Sequence, residues 1–365
     1  MYAFEKVLDQ DLVKKVLSGA LEKGKLAHAY LFYGVEGVGK WAMALELAKA
    51  VNCEDEKTKP CQKCTTCKKI FKLVYPDVNL IFPLPPLEGK SGSQRASEKQ
   101  ELIQKIKEAK ISDPYDEVRF FKKTTISVDD IREMIRYLNL KPVEGRKKVV
   151  IIKEVENLSH GGANSILKVL EEPPGESLLI LTARGVDRLL PTIISRCQLL
   201  KFSSVPSDII QAELRERFKL SSKKASNVAN ISKGSLGKAI YLAQKKGEFA
   251  QKSAKKFLKL CYDDGLKETI DFVESVSKEY TKDEVLELLD GCILVFRDLY
   301  LFTQLGKEGK TLDEDLEKLK VFFDSLRQLE LAIREAERTR RAIQQNVSVV
   351  LALLAFSFKL KYKTN

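Results

Sequence analysis

The stretch Ala29-Tyr-Leu-Phe-Tyr-Gly34-Val-Glu-Gly37-Val-Gly39-Lys40-Trp41 runs from a short apolar segment through a glycine-rich turn into a helical segment, Trp41–Val51. Five apolar residues stopping at a glycine read as a buried strand. Gly34, Gly39 and Lys40 fit GxxxxGK, and Gly37 lies inside the same turn. Between a strand and a helix that pattern is a phosphate-binding loop. Successive backbone N–H groups and the helix N-terminus hold phosphates, and the lysine adds a point charge. The next position normally carries Ser or Thr, whose hydroxyl ligates Mg²⁺. Here it is Trp41, and an indole has no oxygen for a hard cation. Two readings of present function stand: a loop that still holds nucleotide weakly, and a glycine-rich turn that holds none.

Outward from this loop, four more short apolar runs alternate with helical periodicity: Val78–Phe82, Val149–Ile152, Leu178–Thr182 and Gln198–Phe202. Short apolar strands alternating with helices predict a five-stranded parallel sheet covered on both faces. Residues 1–28 read as helical. Ser127 with Asp130 caps a predicted helix over Val128–Leu140, and Ser159 caps one that ends before Pro173-Pro174. Residues 83–123 read as an insertion with a loop and a helix over Glu98–Ala109. Its nine basic and seven acidic residues exclude a basic DNA arm. After Ser203 the strand signal stops. Residues 204–247 predict short helices broken at Lys233-Gly234-Ser235, and residues 248–365 predict long amphipathic helices, such as Val285–Thr303 and Leu319–Arg338. The expected division is 1–203, 204–247 and 248–365.

The strand Val149–Ile152 ends in Lys153-Glu154, where a nucleoside triphosphatase has Asp-Glu. The Asp would hold Mg²⁺ and the Glu would polarise the attacking water. Lys153 puts a cation where a dication belongs, so Trp41 and Lys153 both act against the same ion. Efficient ATP hydrolysis by this chain is therefore not expected. Ser195-Arg196-Cys197 precedes the last strand. Arg196 reads either as a structural arginine or, in a domain of this type, as a planar cation facing a neighbouring subunit's γ-phosphate.

Cys53, Cys61, Cys64 and Cys67 lie within fifteen residues. Four thiolates suit tetrahedral Zn²⁺ with no open position, a structural site. An iron–sulfur cluster is the first alternative, although the usual following Cys-Pro is missing, and a disulfide pair is the least favoured in a cytosolic protein. Cys197, Cys261 and Cys292 sit in apolar sequence and read as core. The only histidines are His28 and His160, which excludes histidine-rich metal catalysis.

The chain has 365 residues, of which 44% are hydrophobic and 31% charged, an ordinary globular composition. No run reaches the roughly 20 apolar residues of a membrane span, and the N-terminus does not read as a secretory signal. A cytoplasmic protein is expected. The net charge of +12 fits a polyanionic partner or a Lys/Glu-rich surface of the heat-adapted kind, and charge alone does not choose.

In this order the motifs resemble the clamp-loader branch of the AAA+ proteins. Further stretches carry the resemblance: Leu26-Ala-His-Ala-Tyr-Leu-Phe32, Leu140-Lys-Pro-Val-Glu-Gly-Arg-Lys-Lys-Val-Val-Ile-Ile152, Ala163-Asn-Ser-Ile-Leu-Lys-Val-Leu-Glu-Glu-Pro-Pro174, Leu189-Leu-Pro-Thr-Ile-Ile-Ser-Arg-Cys197 and Gly234-Ser-Leu-Gly-Lys-Ala239. They cover about residues 1–245. The C-terminal third matches in length and helical character alone. The resemblance implies a P-loop domain, a small helical lid and a C-terminal helical collar. It implies a pentamer with γ/τ-type and δ-type subunits that opens a sliding clamp and closes it on primed DNA. Trp41 and Lys153 place the chain away from the ATP-hydrolysing γ/τ type and toward a stator whose Arg196 completes a neighbour's ATP site. Thr182 matches the sensor-1 position and Lys238 lies near the sensor-2 position; core and capping roles suffice for both. The rivals are an ATP-hydrolysing γ/τ-type subunit and a zinc-dependent nucleic-acid-binding protein.

Overall fold

The computed structural model describes the chain except residues 1, 3, 88–90, 117, 119, 121–123, 244–245, 263–264, 281, 306–313, 346 and 364–365. Several of these belong to the expected insertion, so that part of the 83–123 reading lies outside the described residues. The chain divides into two compact units, Met1–Tyr241 and Leu242–Asn365.

The first unit holds five strands: β1 (Ala29–Tyr33), β2 (Val78–Ile81), β3 (Lys148–Ile152), β4 (Ser177–Ala183) and β5 (Gln198–Lys201). All pair in parallel, in the order β2-β3-β4-β1-β5, with Phe32 opposite Thr182 and Ile152 opposite Leu181. β3 and β4 are buried at every residue, as expected of inner strands covered on both faces. β5, at the edge, buries one residue of four.

The helices of this unit are α1 (Asp11–Glu22), α2 (Lys40–Asn52), α3 (Thr65–Phe71), α4 (Gly92–Ser112), α5 (Val128–Leu138), α6 (His160–Glu171), α7 (Pro191–Ile194), α8 (Ser207–Phe218), α9 (Ser222–Ser232) and α10 (Leu236–Ala243). Leu31, Val150, Ile152, Leu179 and Leu181 meet Ile131, Met134, Ile166 and Val169 of α5 and α6 in one core. Each such fully buried aliphatic side chain contributes about 1.5–3 kcal/mol. Tyr30, Phe32, Ile151 and Ile180 alternate with that set and face the other side, where α2 packs on β4.

Several elements differ from the sequence reading. The helix expected over 1–28 is confined to α1. Asp9 and Gln10 adopt left-handed backbone, and the buried Gln10 amide bonds both backbone groups of Ser203, fixing residues 4–10 as a non-helical entry segment with a turn at Phe4–Val7. α3 was not expected. Its cap is the Cys64 thiol, which accepts from the Cys67 N–H and stands in for a hydroxyl cap. α4 is longer than Glu98–Ala109, because Ser91 and Gln94 form a capping box upstream.

The second unit consists of α11 (Lys246–Tyr262), α12 (Leu266–Glu279), α13 (Lys282–Leu305), α14 (Glu314–Lys320), α15 (Leu326–Gln344) and α16 (Val349–Lys363). Its core includes Phe257, Cys261, Leu289, Cys292, Phe296 and Phe356. The single helix expected over Leu319–Arg338 is two. Phe322 stacks on Tyr262 at 4.9 Å and Phe323 packs on Phe296 at 5.6 Å. Ser325 and Gln328 then open α15 with a capping box.

Candidate functional site

The ends of β1, β4 and β3 lie side by side, so the chain segments that follow them meet at one edge. Parallel sheets present ligand sites at this edge. After β1, the turn Gly34–Gly39 leads into α2. A Cβ on Gly34 would stand 2.3 Å from the Phe202 carbonyl oxygen, and one on Gly37 2.4 Å from Ser235 Oγ, both at positive φ. No side chain fits either place. Lys40 Nζ donates to the carbonyls of Gly34 at 2.6 Å and Val35 at 2.7 Å.

After β3, Lys153 Nζ lies 2.7 Å from Glu154 Oε1. Glu154 has left-handed backbone; its N–H donates to Thr182 Oγ1 at 3.1 Å, and Thr182 in turn donates to the Ile152 carbonyl. Thr182 is buried. Beyond β4, Arg184 lies 2.9 Å from Glu36 and 3.8 Å from Glu154. The carboxylates at this edge thus face an ammonium and a guanidinium, whereas Mg²⁺ asks for anionic oxygens with its own charge as counterpart. The Trp41 ring is buried and packs on Phe82 with centroids 5.2 Å apart.

A cavity of about 30 Å³ remains here, lined by Gly39, Lys40, Trp41, Tyr115, Lys153 and Glu154 among others. That is room for a water or two; small-molecule sites run to roughly 300–1,000 Å³. Tyr115, Glu36 and Arg184 were not singled out in the sequence. Arg184 follows a strand at the ligand-binding edge, which is a signal. Tyr115 comes from the insertion and carries none.

The four clustered cysteines converge. Their sulfurs all lie within 4.8 Å of one another, with Cys53 and Cys64 4.0 Å apart. Tetrahedral zinc at about 2.3 Å from each sulfur needs separations of about 3.8 Å. Backbone N–H groups of Cys61, Cys64 and Cys67 point at the sulfurs of Cys53, Cys61 and Cys64, which favours thiolates. Burial opposes ionisation of Cys61, but N–H groups of Cys64 and Lys63 and the Cys53 thiol pull it down to about 7. Glu54 accepts from the N–H and hydroxyl of Thr66. The buried pair Glu46–Lys49, 2.7 Å apart, is bridged by Gln62 of the cysteine loop. The donor set fits a closed tetrahedral metal site. Cys261 and Cys292 are buried, while Cys197 is partly buried against the sheet core.

Arg196 follows α7 and does not line the cavity beside the P-loop. Its guanidinium donates to the Thr192 carbonyl at 2.9 Å and to Glu171 Oε1 at 2.5 Å. His28 bonds the Leu170 carbonyl, so it serves the fold. Lys238, on α10, is partly buried, and its N–H donates to Ser235 Oγ as a helix-capping bond.

Comparison with known proteins adds to this geometry. Residues 9–206 match the family model described as DNA polymerase III, delta subunit. The chain is 30% identical over 346 residues to DNA polymerase III subunit delta′ of Bacillus subtilis, covering 94% of this chain and 89% of that one. It is 29% identical over 342 residues to subunit tau of the same organism, covering 87% of this chain and 53% of the other. Among solved structures, a gamma-subunit-related DNA polymerase III protein from Thermotoga maritima aligns over 96% of this chain and 99% of its own, at 17% identity and a TM-score of 0.44. RuvB of that organism aligns over 87% and 83%, at 16% and 0.42.

Proposed function

The chain belongs to the DNA polymerase III delta-subunit family, and we propose that it works there as a non-hydrolysing, delta-prime-type stator of a clamp loader. Identity to delta′ and to tau is nearly equal, so overall similarity does not separate the two. The carrying observation is the edge of the sheet. Lys153 and Glu154 are paired where Mg²⁺ belongs, Trp41 replaces its hydroxyl ligand, and about 30 Å³ is left beside the loop. The P-loop residues Gly34, Gly37, Gly39 and Lys40 then serve as a structural turn, with Glu154 lacking a metal-activated water to polarise.

In this reading Arg196 is the group the chain offers to chemistry. It stands apart from its own P-loop cavity, and its fork can stabilise the charge developing on a neighbour's γ-phosphate. To reach it, the guanidinium exchanges Glu171 for phosphate oxygens. Residues 1–203 form the P-loop domain, 204–247 the lid and 248–365 the collar. Zinc held by Cys53, Cys61, Cys64 and Cys67 shapes the 53–71 module and takes no part in the chemistry. The partners are γ/τ-type and δ-type subunits in a pentamer, the sliding clamp and primed DNA, with a cytoplasmic location and no membrane.

The test is ATP turnover by the purified chain, alone and with γ/τ-type and δ-type subunits, clamp and primed DNA. Silence alone and a rise in turnover when the chain joins the mixture are expected. Mg²⁺-dependent turnover by the chain alone, lost in Lys40→Ala, would make it a motor subunit. Specific DNA binding by the isolated chain that disappears with zinc would favour the nucleic-acid-binding reading.

A further inference from the structure

Residues 110–116, at the end of the insertion, are built as a strap across the P-loop. Tyr115 is 6% exposed. Its ring lies over the N-terminus of α2, with Cε1 3.1 Å and the hydroxyl oxygen 3.2 Å from where a Cβ on Gly39 would stand. Its hydroxyl accepts the N–H of Leu8 at 2.9 Å, which ties it to the entry segment. Its carbonyl oxygen comes within 2.6 Å of where a Cβ on Gly237 would stand, so the strap touches the backbone of α10. The Gly237 N–H meanwhile donates to the Gly37 carbonyl of the P-loop at 2.9 Å.

Two buried charges stake the strap. Asp113 accepts the Tyr115 N–H at 2.9 Å and pairs with Arg217 of α8 at 2.8 Å. Lys110 donates to the carbonyls of Pro114 and Asp116, and its ammonium lies 5.7 Å from the centre of the Trp41 ring. Buried charges persist when they are paired or hydrogen-bonded: Asp113 has its guanidinium and Lys110 has two carbonyl acceptors. Together these contacts join four pieces: the entry segment at Leu8, the P-loop at Gly39, α8 at Arg217 and α10 at Gly237.

We propose that Pro114-Tyr115 is an intramolecular substitute for a nucleotide. Its flat ring and hydroxyl acceptor fill the space beside the P-loop and hold α8–α10 against the sheet with no ligand present. A purine nucleotide supplies the same things: a flat ring, an acceptor for a backbone N–H and a bridge between loop and helices. The phenol is suited to the task, since burial pushes it up to about 12 and it stays neutral at physiological pH. The arrangement would give a stator fixed geometry through its partners' ATP cycle, and it stands or falls independently of Arg196.

Amide hydrogen exchange on the full chain tests it, with and without millimolar Mg-ADP. In the wild type, Leu8 and residues 204–241 are expected to be protected, and ADP is expected to change nothing. Tyr115→Ala should speed exchange at Leu8 and across 204–241 at least tenfold while leaving α5 unchanged. Should that variant not fold, Tyr115→Phe should speed exchange at Leu8 several-fold and Arg217→Ala should loosen α8. Added protection of the wild type by ADP would overturn the proposal, because it would mean the site takes nucleotide with the strap in place. Unchanged exchange at Leu8 and 204–241 in the variants would overturn it too. Turnover in the reconstituted complex reads the stator role separately.

Discussion

Thr182→Val separates a structural threonine from one that senses nucleotide. The Thr182 hydroxyl accepts the Glu154 N–H at 3.1 Å and donates to the Ile152 carbonyl at 3.4 Å. Valine keeps the shape and removes both bonds. The second bond is long and contributes little. The first leaves a part-buried N–H without its acceptor, which costs about 1–2 kcal/mol. Glu154 also depends on this bond for its left-handed backbone, from which it reaches Lys153 at 2.7 Å and Asn157 at 3.1 Å. A loss of about 1.5 kcal/mol, roughly tenfold in the unfolding equilibrium, is expected. Trp41 is the only tryptophan in the chain and is buried in the first unit. Urea unfolding followed by its fluorescence therefore reads this unit alone. The complex's ATP turnover should not change. An unshifted urea midpoint would refute the structural role, and a loss of turnover at unchanged stability would show that Thr182 acts on nucleotide.

The cysteine module should carry one zinc per chain. Cys64→Ser should release it and speed hydrogen exchange over 53–71, whereas visible absorbance with iron would indicate a cluster instead. Glu156 gives a pH dependence. Burial holds its carboxyl above the usual carboxylate range, partly offset by the Arg184 N–H. A raised folded-state value penalises the charged form at high pH, and the penalty fades as pH falls toward the unfolded-state value. Glu156→Gln should therefore stabilise the first unit at about pH 8 and lose that advantage progressively as pH falls toward about 4. An advantage that grows on acidification would contradict this.

The sheet was legible because its strands are short apolar runs bounded by glycine, proline or charge, and parallel inner strands need no alternation. The P-loop and the cysteines were legible because their spacing is local. Contacts between distant segments were not. The Gln10 side chain, tied to Ser203 193 residues away, delays the start of α1 to Asp11. Tyr115 reaches Leu8 across 107 residues, and nothing in Asp113-Pro-Tyr115 announces it. The Arg196–Glu171 pair joins two motifs 25 residues apart that no local pattern links. α3 was missed because a thiol replaces the usual hydroxyl cap, and Leu319–Arg338 read as one helix because its break is set by aromatic packing around Phe322 and Phe323.

In the proposed function, Arg196 acts on a neighbouring subunit's ATP. The direct measurement is DNA-stimulated ATP turnover by the reconstituted complex carrying Arg196→Ala or Arg196→Lys, with assembly checked by size-exclusion chromatography. An arginine finger supplies roughly 10³–10⁵ in rate at its own site, and a lysine lacks the planar fork. Intact complexes that have lost most of their stimulated turnover, with no rescue by lysine, are expected. Full turnover in an intact Arg196→Ala complex would contradict that role.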